Sequence, residues 1–193
     1  MGNDKLIYFQ DGDTVASSGG AVVYKMNGRL FLEIEHTLWA MEDELYDYME
    51  QLHDYPKGDC LEIGLGLGTA SRYILTFPTV NHLTTVEINK DVIGVHEMIG
   101  ENDRYFSLDY DPSRHRILNA DGIMYAYRTK RKYDFIFIDC YDRIDEDTLP
   151  IIEDVTRACC RLLKPEGKLV AWLDRFTPWE FKNQFRKLVN KYI

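Results

Sequence analysis

The sequence predicts an α/β protein built on a doubly wound, mainly parallel sheet. Two observations lead to this fold class. From residue 58 onward, apolar strand-like segments alternate with segments whose apolar residues recur every three and four positions, which is the pattern of strand, helix and strand in a parallel sheet. The first of these strands breaks into Gly64, Gly66 and Gly68. Such a glycine-rich turn joins a buried strand to a helix where the backbone approaches a ligand closely.

The N-terminal part of the chain is predicted to lie outside that sheet. Residues 1–20 are polar and rich in Gly, Ser and Asp, which favours a loosely held arm or an edge strand. Strand-forming residues then flank Asn27-Gly28, a pair that suits a tight turn with positive φ. We therefore expect a small β-hairpin over residues 21–34. We place the domain boundary between an N-terminal arm and hairpin, 1–36, and a sheet domain, 37–193.

The remaining segments follow in regular order along the chain. Apolar residues over 37–53 recur on one helical face, with acidic residues on the other side, which predicts a helix. The same patterns predict a strand up to residue 63, a helix from 70, a strand over 82–87, a helix over 90–99, a strand over 115–118, a short helix over 121–127, a strand over 133–139, a helix over 148–163, a turn over 164–167, a strand over 168–173 and a last helix that begins at a capping box over 177–180.

Polar residues stand where several of these strands end. Because the carboxyl ends of parallel strands meet at one edge of a sheet, we expect them near the ligand. Glu87 lies 23 residues after Gly64, close to the interval of about 20 residues at which nucleoside-binding folds place an acid on the ribose. A carboxylate can accept hydrogen bonds from both ribose hydroxyls. Helix capping is the alternative role for Glu87, although Asn89 is better placed for it.

The next two strand ends supply further candidates. Asp121 is expected to accept a hydrogen bond from an adenine amine, with Gly122 leaving room for the ring, and helix capping by Asp121 is compatible with that role. Asp139 is expected to orient a substrate amine or the methionyl portion of a cofactor. Tyr141 and Asp142 beside it either share this catalytic role or belong to an exposed loop.

Composition limits the classes of ligand and partner. The chain has 193 residues and a net charge of -9, which argues against general nucleic-acid binding and favours a small-molecule or amine-bearing acceptor. No apolar run approaches the ~20 residues of a membrane span, and no signal-peptide pattern is present, so we expect a cytoplasmic protein. The four cysteines lack C-x-x-C spacing, so no metal site is predicted. A monomer and a homodimer both stay open.

Glu62 stands two residues before the first of the alternating glycines, and with them it resembles the first motif of the class I S-adenosylmethionine-dependent methyltransferases. The resemblance implies a Rossmann-like fold. In that fold the glycine turn, Glu62 and the pair Glu87-Ile88 would surround the cofactor. One helix follows the last predicted strand, so we expect the antiparallel strand pair that usually completes this sheet to be missing.

Four further segments together resemble the spermidine synthase (aminopropyltransferase) family in order and spacing. These segments are 86–93, 111–114, 121–122 and 133–142. The resemblance extends over about residues 28–173. It implies a Rossmann-like transferase that binds an adenosyl sulfonium. In such a protein Glu87 would bind the ribose and Asp121 the adenine, while Asp139 and Asp142 would be directed toward a polyamine.

Three positions depart from the pattern of that family. In that family the glycine loop carries an acid that holds the amine of decarboxylated S-adenosylmethionine, and Leu67 stands at the matching position here. Tyr46-Asp47 replaces a Tyr-His pair, and Arg143 replaces a proline. The main prediction is therefore an S-adenosylmethionine-dependent methyltransferase in which Asp139 or Tyr141 accepts a proton or orients an amine. An aminopropyltransferase using decarboxylated S-adenosylmethionine and a non-catalytic adenosyl-binding or interaction module remain as alternatives.

Overall fold

A computed structural model describes residues 13–100, 108 and 111–192. In that part of the chain the strands form a four-stranded sheet of order β1-β2-β3-β4 and a five-stranded sheet of order β7-β6-β5-β8-β9. The strands of the first sheet are β1 (Asp13–Ser18), β2 (Ala21–Met26), β3 (Arg29–Ile34) and β4 (Thr37–Met41). All three pairings in it are antiparallel.

The predicted hairpin is confirmed as the centre of this N-terminal sheet. Strand β2 pairs with β3 across Asn27 and Gly28, whose φ values of 52° and 82° are those of a tight turn. Strand β1 pairs with β2 at the edge of the sheet, which agrees with the edge-strand alternative. The rest of the expected arm, residues 1–12, lies outside the described residues.

The helix predicted over residues 37–53 is wrong in its first part. Strand β4 pairs with β3, a 3-10 turn follows at Glu42–Glu44, and helix α1 (Leu45–Leu52) begins only there. The reason is a hairpin turn at Glu35 and His36, which have φ values of 48° and 65° without being glycine. Because side chains rarely adopt this conformation, the residue types contain no signal for the turn. The N-terminal sheet thus extends to Met41, and the division into two domains stays a prediction.

The parallel sheet and its helices confirm the predicted fold class. Its elements are β5 (Gly58–Ile63), α2 (Thr69–Thr76), β6 (Val80–Glu87), α3 (Lys90–Gly100), β7 (His115–Asn119), α4 (Gly122–Arg128), β8 (Tyr133–Ile138), α5 (Leu149–Cys160), β9 (Leu163–Ala171) and α6 (Trp179–Asn190). The strand order reverses between β5 and β8. A doubly wound sheet opens a ligand crevice at this point, beyond the carboxyl ends of the strands.

Two local predictions near the C-terminus need correction. Strand β9 begins at Leu163, so the residues predicted as a turn over 164–167 lie within it, where the pairing with β8 shifts register. Helix α6 begins at Trp179 without a side-chain cap, so the predicted capping box is not formed. The Thr177 backbone N–H instead donates to the Asp174 carbonyl in a turn, and the Thr177 side chain is buried.

Two apolar clusters hold the described residues together. The larger one fills both faces of the parallel sheet and includes Phe135 and Phe137 of the inner strand β8. The smaller one joins the N-terminal sheet to α3 and also takes in Leu65 and Leu67 of the glycine turn. The turn therefore lies where the two clusters meet. None of the helices in the described ranges has the length and apolarity that a membrane span requires.

Candidate functional site

A cavity of about 410 Å³ opens at the carboxyl ends of β5, β6 and β8 and is closed on one side by β3 and β4. Most of its wall is apolar or aromatic, with the side chains of Leu32, Ile34, Trp39, Ile88, Ile123 and Trp172. Its acidic lining residues are Glu44, Glu87, Asp121 and Asp139. The size and the apolar wall with a few polar groups are those of a small-molecule site.

Two of the three glycines in the turn line this cavity. A Cβ on Gly64 would lie 1.9 Å from the Asp139 carbonyl oxygen, so only glycine allows the ends of β5 and β8 to approach this closely. A Cβ on Gly66 would lie 3.5 Å from the Ala40 Cβ, an ordinary contact distance, so glycine is favoured there by its φ of 52°, which other residues rarely adopt. Gly68 lies away from the cavity, because it precedes α2 and a Cβ there would meet the His96 ring at 2.6 Å.

Glu87 ends β6 and ties the glycine turn to the start of α3. One carboxylate oxygen, Oε2, accepts a hydrogen bond from the Leu65 backbone N–H at 2.9 Å, and Oε1 accepts one from the Asn89 N–H at 2.7 Å. Burial raises the pKa of Glu87 in spite of these two donors. Asn89 in turn caps α3 by accepting from the Asp91 N–H at 2.9 Å. The sequence alternative in which Asn89 caps the helix thus matches the structure.

Glu62 does not reach the cavity. Its side chain is 1% exposed, and Oε2 accepts hydrogen bonds from the hydroxyls of Ser71 and of Thr85, the latter at 2.6 Å. Burial raises the pKa of Glu62 to about 8. The residue predicted to bind a cofactor therefore lies beneath the glycine turn, where it connects β5 to α2 and β6.

Asp121 and Gly122 lie together on the cavity wall at the start of α4. The Asp121 Oδ1 atom accepts from the Met124 N–H at 2.9 Å, so the predicted helix cap is present. A Cβ on Gly122 would lie 2.4 Å from the Ile63 side chain, which shows how closely α4 begins against β5. The adenine contact of Asp121 stays a prediction.

Asp139 follows β8 and faces two residues that the sequence analysis did not select. The Tyr48 hydroxyl lies 2.8 Å from Asp139 Oδ2 and 3.1 Å from Glu44 Oε2. Burial raises the pKa of Asp139 to about 7, and the nearby Glu87 adds to the rise. Burial, with the Asp139 charge, raises the pKa of Glu44 to about 8. Glu44 was missed because it was placed on the polar face of a helix, whereas the 3-10 turn directs it to the cavity.

Of the two predicted residues that follow Asp139, Tyr141 lines the cavity and Asp142 does not. Tyr141 lines the cavity, but its hydroxyl donates to the Trp172 carbonyl at 2.7 Å, and burial raises its pKa well above the usual value. Asp142 is not a lining residue, and its carboxylate lies 3.9 Å from the Arg143 guanidinium. Cys140, which was not predicted, also lines the cavity.

The charge of the cavity is one-sided. Across residues 13–100, 108 and 111–192, the lining residues include four carboxyl groups and no Lys, Arg or His. Carboxylates that a largely apolar wall partly desolvates are costly without a cationic partner, and they favour a ligand that carries positive charge. Within the same ranges, no group of three or more His, Cys, Asp or Glu residues is arranged to hold a metal ion.

Comparison with known protein sequences identifies relatives that span most of this chain. Residues 47–191 match the sequence model of the spermine/spermidine synthase domain. The polyamine aminopropyltransferase of Prochlorococcus marinus (strain AS9601) is 30% identical over 157 residues, which cover 75% of this chain and 52% of the relative. That of Pseudomonas syringae pv. tomato is 33% identical over 110 residues, with coverages of 57% and 38%. The chain spans about half the length of the curated relatives it matches.

Solved structures show the same fold. The spermidine synthase from Thermotoga maritima superposes with a TM-score of 0.71 at 19% identity, over 93% of this chain and 64% of that one. A spermidine synthase in complex with the transition state analogue AdoDATO has a TM-score of 0.69 at 19% identity, with coverages of 93% and 63%. Because each superposition covers 93% of this chain, it includes the parallel sheet together with the antiparallel N-terminal sheet.

Proposed function

Because the chain belongs to the spermine/spermidine synthase family, we propose that it transfers an aminopropyl group from decarboxylated S-adenosylmethionine to an amine. The observation that carries this proposal is the cavity with four carboxyl groups and no basic lining residue in the described part of the chain. Decarboxylated S-adenosylmethionine has a sulfonium and an ammonium group but no carboxylate. The carboxylate of S-adenosylmethionine itself would be buried there without a cationic partner, which is unfavourable.

The nucleoside half of the ligand fits the glycine turn and the ends of β6 and α4. Each carboxylate oxygen has two acceptor positions, and each oxygen of Glu87 uses one for a backbone N–H. The remaining positions can accept hydrogen bonds from the two ribose hydroxyls. Ile88 and Ile123 provide apolar walls for the nucleobase, and Asp121 beside them is the acceptor for its exocyclic amine.

The reacting groups would meet at Asp139. The bound sulfonium supplies an electrophilic carbon, so the protein mainly has to hold the attacking amine in line and take its proton. Asp139 lies on the cavity wall with a pKa raised to about 7, which suits a group that accepts a proton near neutral pH. Tyr141 shapes the wall beside it through its bond to Trp172.

Methyl transfer from S-adenosylmethionine is the second candidate function, and one observation favours it. Leu67 is 3% exposed and packs in the smaller cluster, so the glycine turn offers no carboxylate to an aminopropyl ammonium. The comparisons do not support methyl transfer, since the matched relatives are named polyamine aminopropyltransferases and spermidine synthases. The cavity carboxyl groups of Glu44 and Asp139 are the acids left to meet that ammonium.

Calorimetric titration of the full chain separates these candidates. We expect decarboxylated S-adenosylmethionine to bind at least about 10-fold more tightly than S-adenosylmethionine, since only the latter buries an unpaired carboxylate. Glu87→Gln should weaken binding of the decarboxylated ligand by about 10- to 100-fold. Glu97→Gln, an exposed substitution on α3, is the matched control and should leave it unchanged.

Each other outcome of this titration assigns a different function. Tighter binding of S-adenosylmethionine would replace the aminopropyltransferase proposal by methyl transfer. Absence of binding for both ligands would exclude both activities and favour a non-catalytic interaction module. Equal loss of affinity in Glu87→Gln and Glu97→Gln would contradict the ribose role of Glu87.

A further inference from the structure

We propose that Glu44 is a positioning residue that shares one proton with Asp139 through the Tyr48 hydroxyl and thereby keeps Asp139 ready to receive the proton of the attacking amine. The functional part of this inference rests on the proposed aminopropyl transfer. The shared proton is independent of that proposal, because it is inferred from contacts within the chain.

The inference starts from the hydrogen count at Tyr48. Its hydroxyl oxygen lies 2.8 Å from Asp139 Oδ2 and 3.1 Å from Glu44 Oε2, both within hydrogen-bond distance. A hydroxyl carries one proton, and an ionised carboxylate can only accept. Both contacts are therefore hydrogen bonds only when at least one of the two carboxyl groups is protonated and donates to the Tyr48 oxygen. One proton shared between Glu44 and Asp139 is the smallest number that satisfies both contacts.

Packing holds the Tyr48 hydroxyl in place between the two carboxyl groups. Tyr48 is 5% exposed, and its ring packs edge-on against Phe137 with centroids 5.7 Å apart. The titratable groups that face the three residues are Asp47 on α1, Glu62 on β5, Glu87 on β6 and, after β8, Cys140 and Tyr141. None of these side chains brings a positive charge.

The neighbouring charges on the same segment are already engaged. Asp47 receives hydrogen bonds from Arg175, with its Oδ1 at 2.8 Å from the Arg175 Nε. In the 3-10 turn, Glu42 accepts from the Leu30 N–H at 3.0 Å and Asp43 is paired with Arg29. Glu44 is the member of that turn that lines the cavity. Glu44 thus lies between Asp139 and acids that are already hydrogen-bonded or ion-paired. The charge of Asp139 favours the protonated form of Glu44.

The proton on Glu44 determines which carboxyl group faces the substrate as an anion. With Glu44 protonated and donating to Tyr48, the Tyr48 proton is donated to Asp139, which is then ionised. In the transfer step the amine lone pair forms the N–C bond, the C–S bond breaks, and its electron pair stays on the sulfur of a neutral thioether. The amine proton passes to the Asp139 carboxylate. Charge and protons balance without any further reactant.

Carboxyl-carbon NMR titration of the unliganded chain tests the shared proton directly. In the unmodified protein the Glu44 and Asp139 signals should each titrate in two steps, as coupled groups do. Glu44→Gln keeps an N–H donor to Tyr48 but cannot ionise. We expect it to leave a single step for Asp139, with the midpoint lowered by about one pH unit, because the upper of the two steps, in which Asp139 ionises beside an anionic Glu44, no longer occurs. Glu50→Gln, an exposed change on α1, is the control and should leave both signals unchanged.

Two results would overturn the inference. One is a single titration step for both carboxyl groups near their usual pKa, and the other is an Asp139 midpoint that Glu44→Gln does not move. The functional part is read from the pH profile of kcat: the acid limb should shift in Glu44→Gln in the same direction as the Asp139 midpoint. An unmoved acid limb would contradict that part. Absence of transfer in every variant would instead reject the proposed function, while the NMR result would stand.

Discussion

The two edges of the parallel sheet carry the same type of residue in opposite electrostatic settings. At the amino edge, Asp59 and Asp134 both accept hydrogen bonds from the Lys164 ammonium, at 3.0 and 2.7 Å. Partial burial acts to raise the pKa of Asp134, but the bonds from Lys164 and from the Asp59 N–H outweigh it and lower that pKa. At the carboxyl edge, burial raises the pKa of both Glu87 and Asp139.

The difference indicates what each set of carboxyl groups does. At the amino edge the chain itself supplies the cation, so the charges are neutralised within the fold and contribute to its stability. At the carboxyl edge the lining residues in the described ranges include no cation, so the charges are available to a ligand. Strongly shifted pKa values in a cavity are a mark of a functional site. This contrast can be tested by three experiments. One changes the carboxyl edge, one measures the pH dependence of stability to which both edges contribute, and one changes the amino edge.

The largest effect is expected from removing the charge at the carboxyl edge. Asp139→Asn should lower kcat for aminopropyl transfer by about 100- to 10,000-fold, because a neutral amide cannot take the amine proton. The rate is measured as release of the thioadenosine product, and circular dichroism checks the fold. Asp147→Asn changes an exposed acid outside the cavity lining and should leave kcat within about 3-fold. A similar rate in the two variants would remove Asp139 from the chemistry.

A smaller effect is expected in the pH dependence of stability. Glu44, Glu62 and Asp139 have pKa values raised by burial to about 8, 8 and 7, so these three groups hold more protons in the folded than in the unfolded chain. Burial lowers the pKa values of His96 and His115 to about 4 and 3, and these two groups act in the opposite sense below their usual value of 6.5. The free energy of unfolding should therefore fall as the pH rises from about 6.5 to 8, by up to about 1.4 kcal/mol per pH unit for each carboxyl group. Urea unfolding at about pH 6.5 and pH 8 measures the fall.

Glu62→Gln sharpens this measurement, because it keeps an acceptor for Ser71 and Thr85 but cannot ionise. It should reduce the loss of stability between about pH 6.5 and 8. The amino edge acts in the opposite sense, since the lowered pKa of Asp134 provides stability above its usual value of 3.8 that is lost as the pH falls. A wild-type stability that is flat from about pH 6.5 to 8 would mean that these carboxyl groups titrate normally.

The smallest effect is expected at the amino edge. Lys164→Met removes the cation shared by Asp59 and Asp134 and should lower Tm by about 2 to 4 °C, since partly exposed ion pairs stabilise only modestly. Lys168→Met, an exposed change on the same strand, is the control and should leave Tm nearly unchanged. Affinity for decarboxylated S-adenosylmethionine should be the same in both variants. A loss of affinity in Lys164→Met alone would show that the two edges are coupled.

The sequence by itself determined the features that depend on neighbouring residues. Strand and helix periodicity predicted the parallel sheet, and the alternating glycines predicted the turn at Gly64 and Gly66, because a Cβ on Gly64 would meet the Asp139 carbonyl and because glycine adopts a positive φ at the least cost. Glu87, Asp121 and Asp139 were predicted at the ligand edge for an equally local reason, since each directly follows an apolar run. All three line the cavity.

Only the tertiary structure decided which side chains meet. Tyr48 and Asp139 are 91 positions apart, and no periodicity relates them. Glu44 faces the cavity because Glu35 and His36 adopt positive φ and form the turn that pairs β4 with β3. The residue types at these two positions do not predict that turn. Glu62 is turned the other way, into the core, by hydroxyl donors on α2 and β6. Local pattern determines where a strand ends, whereas the charge and the partners of a carboxyl group depend on what the rest of the chain packs against it.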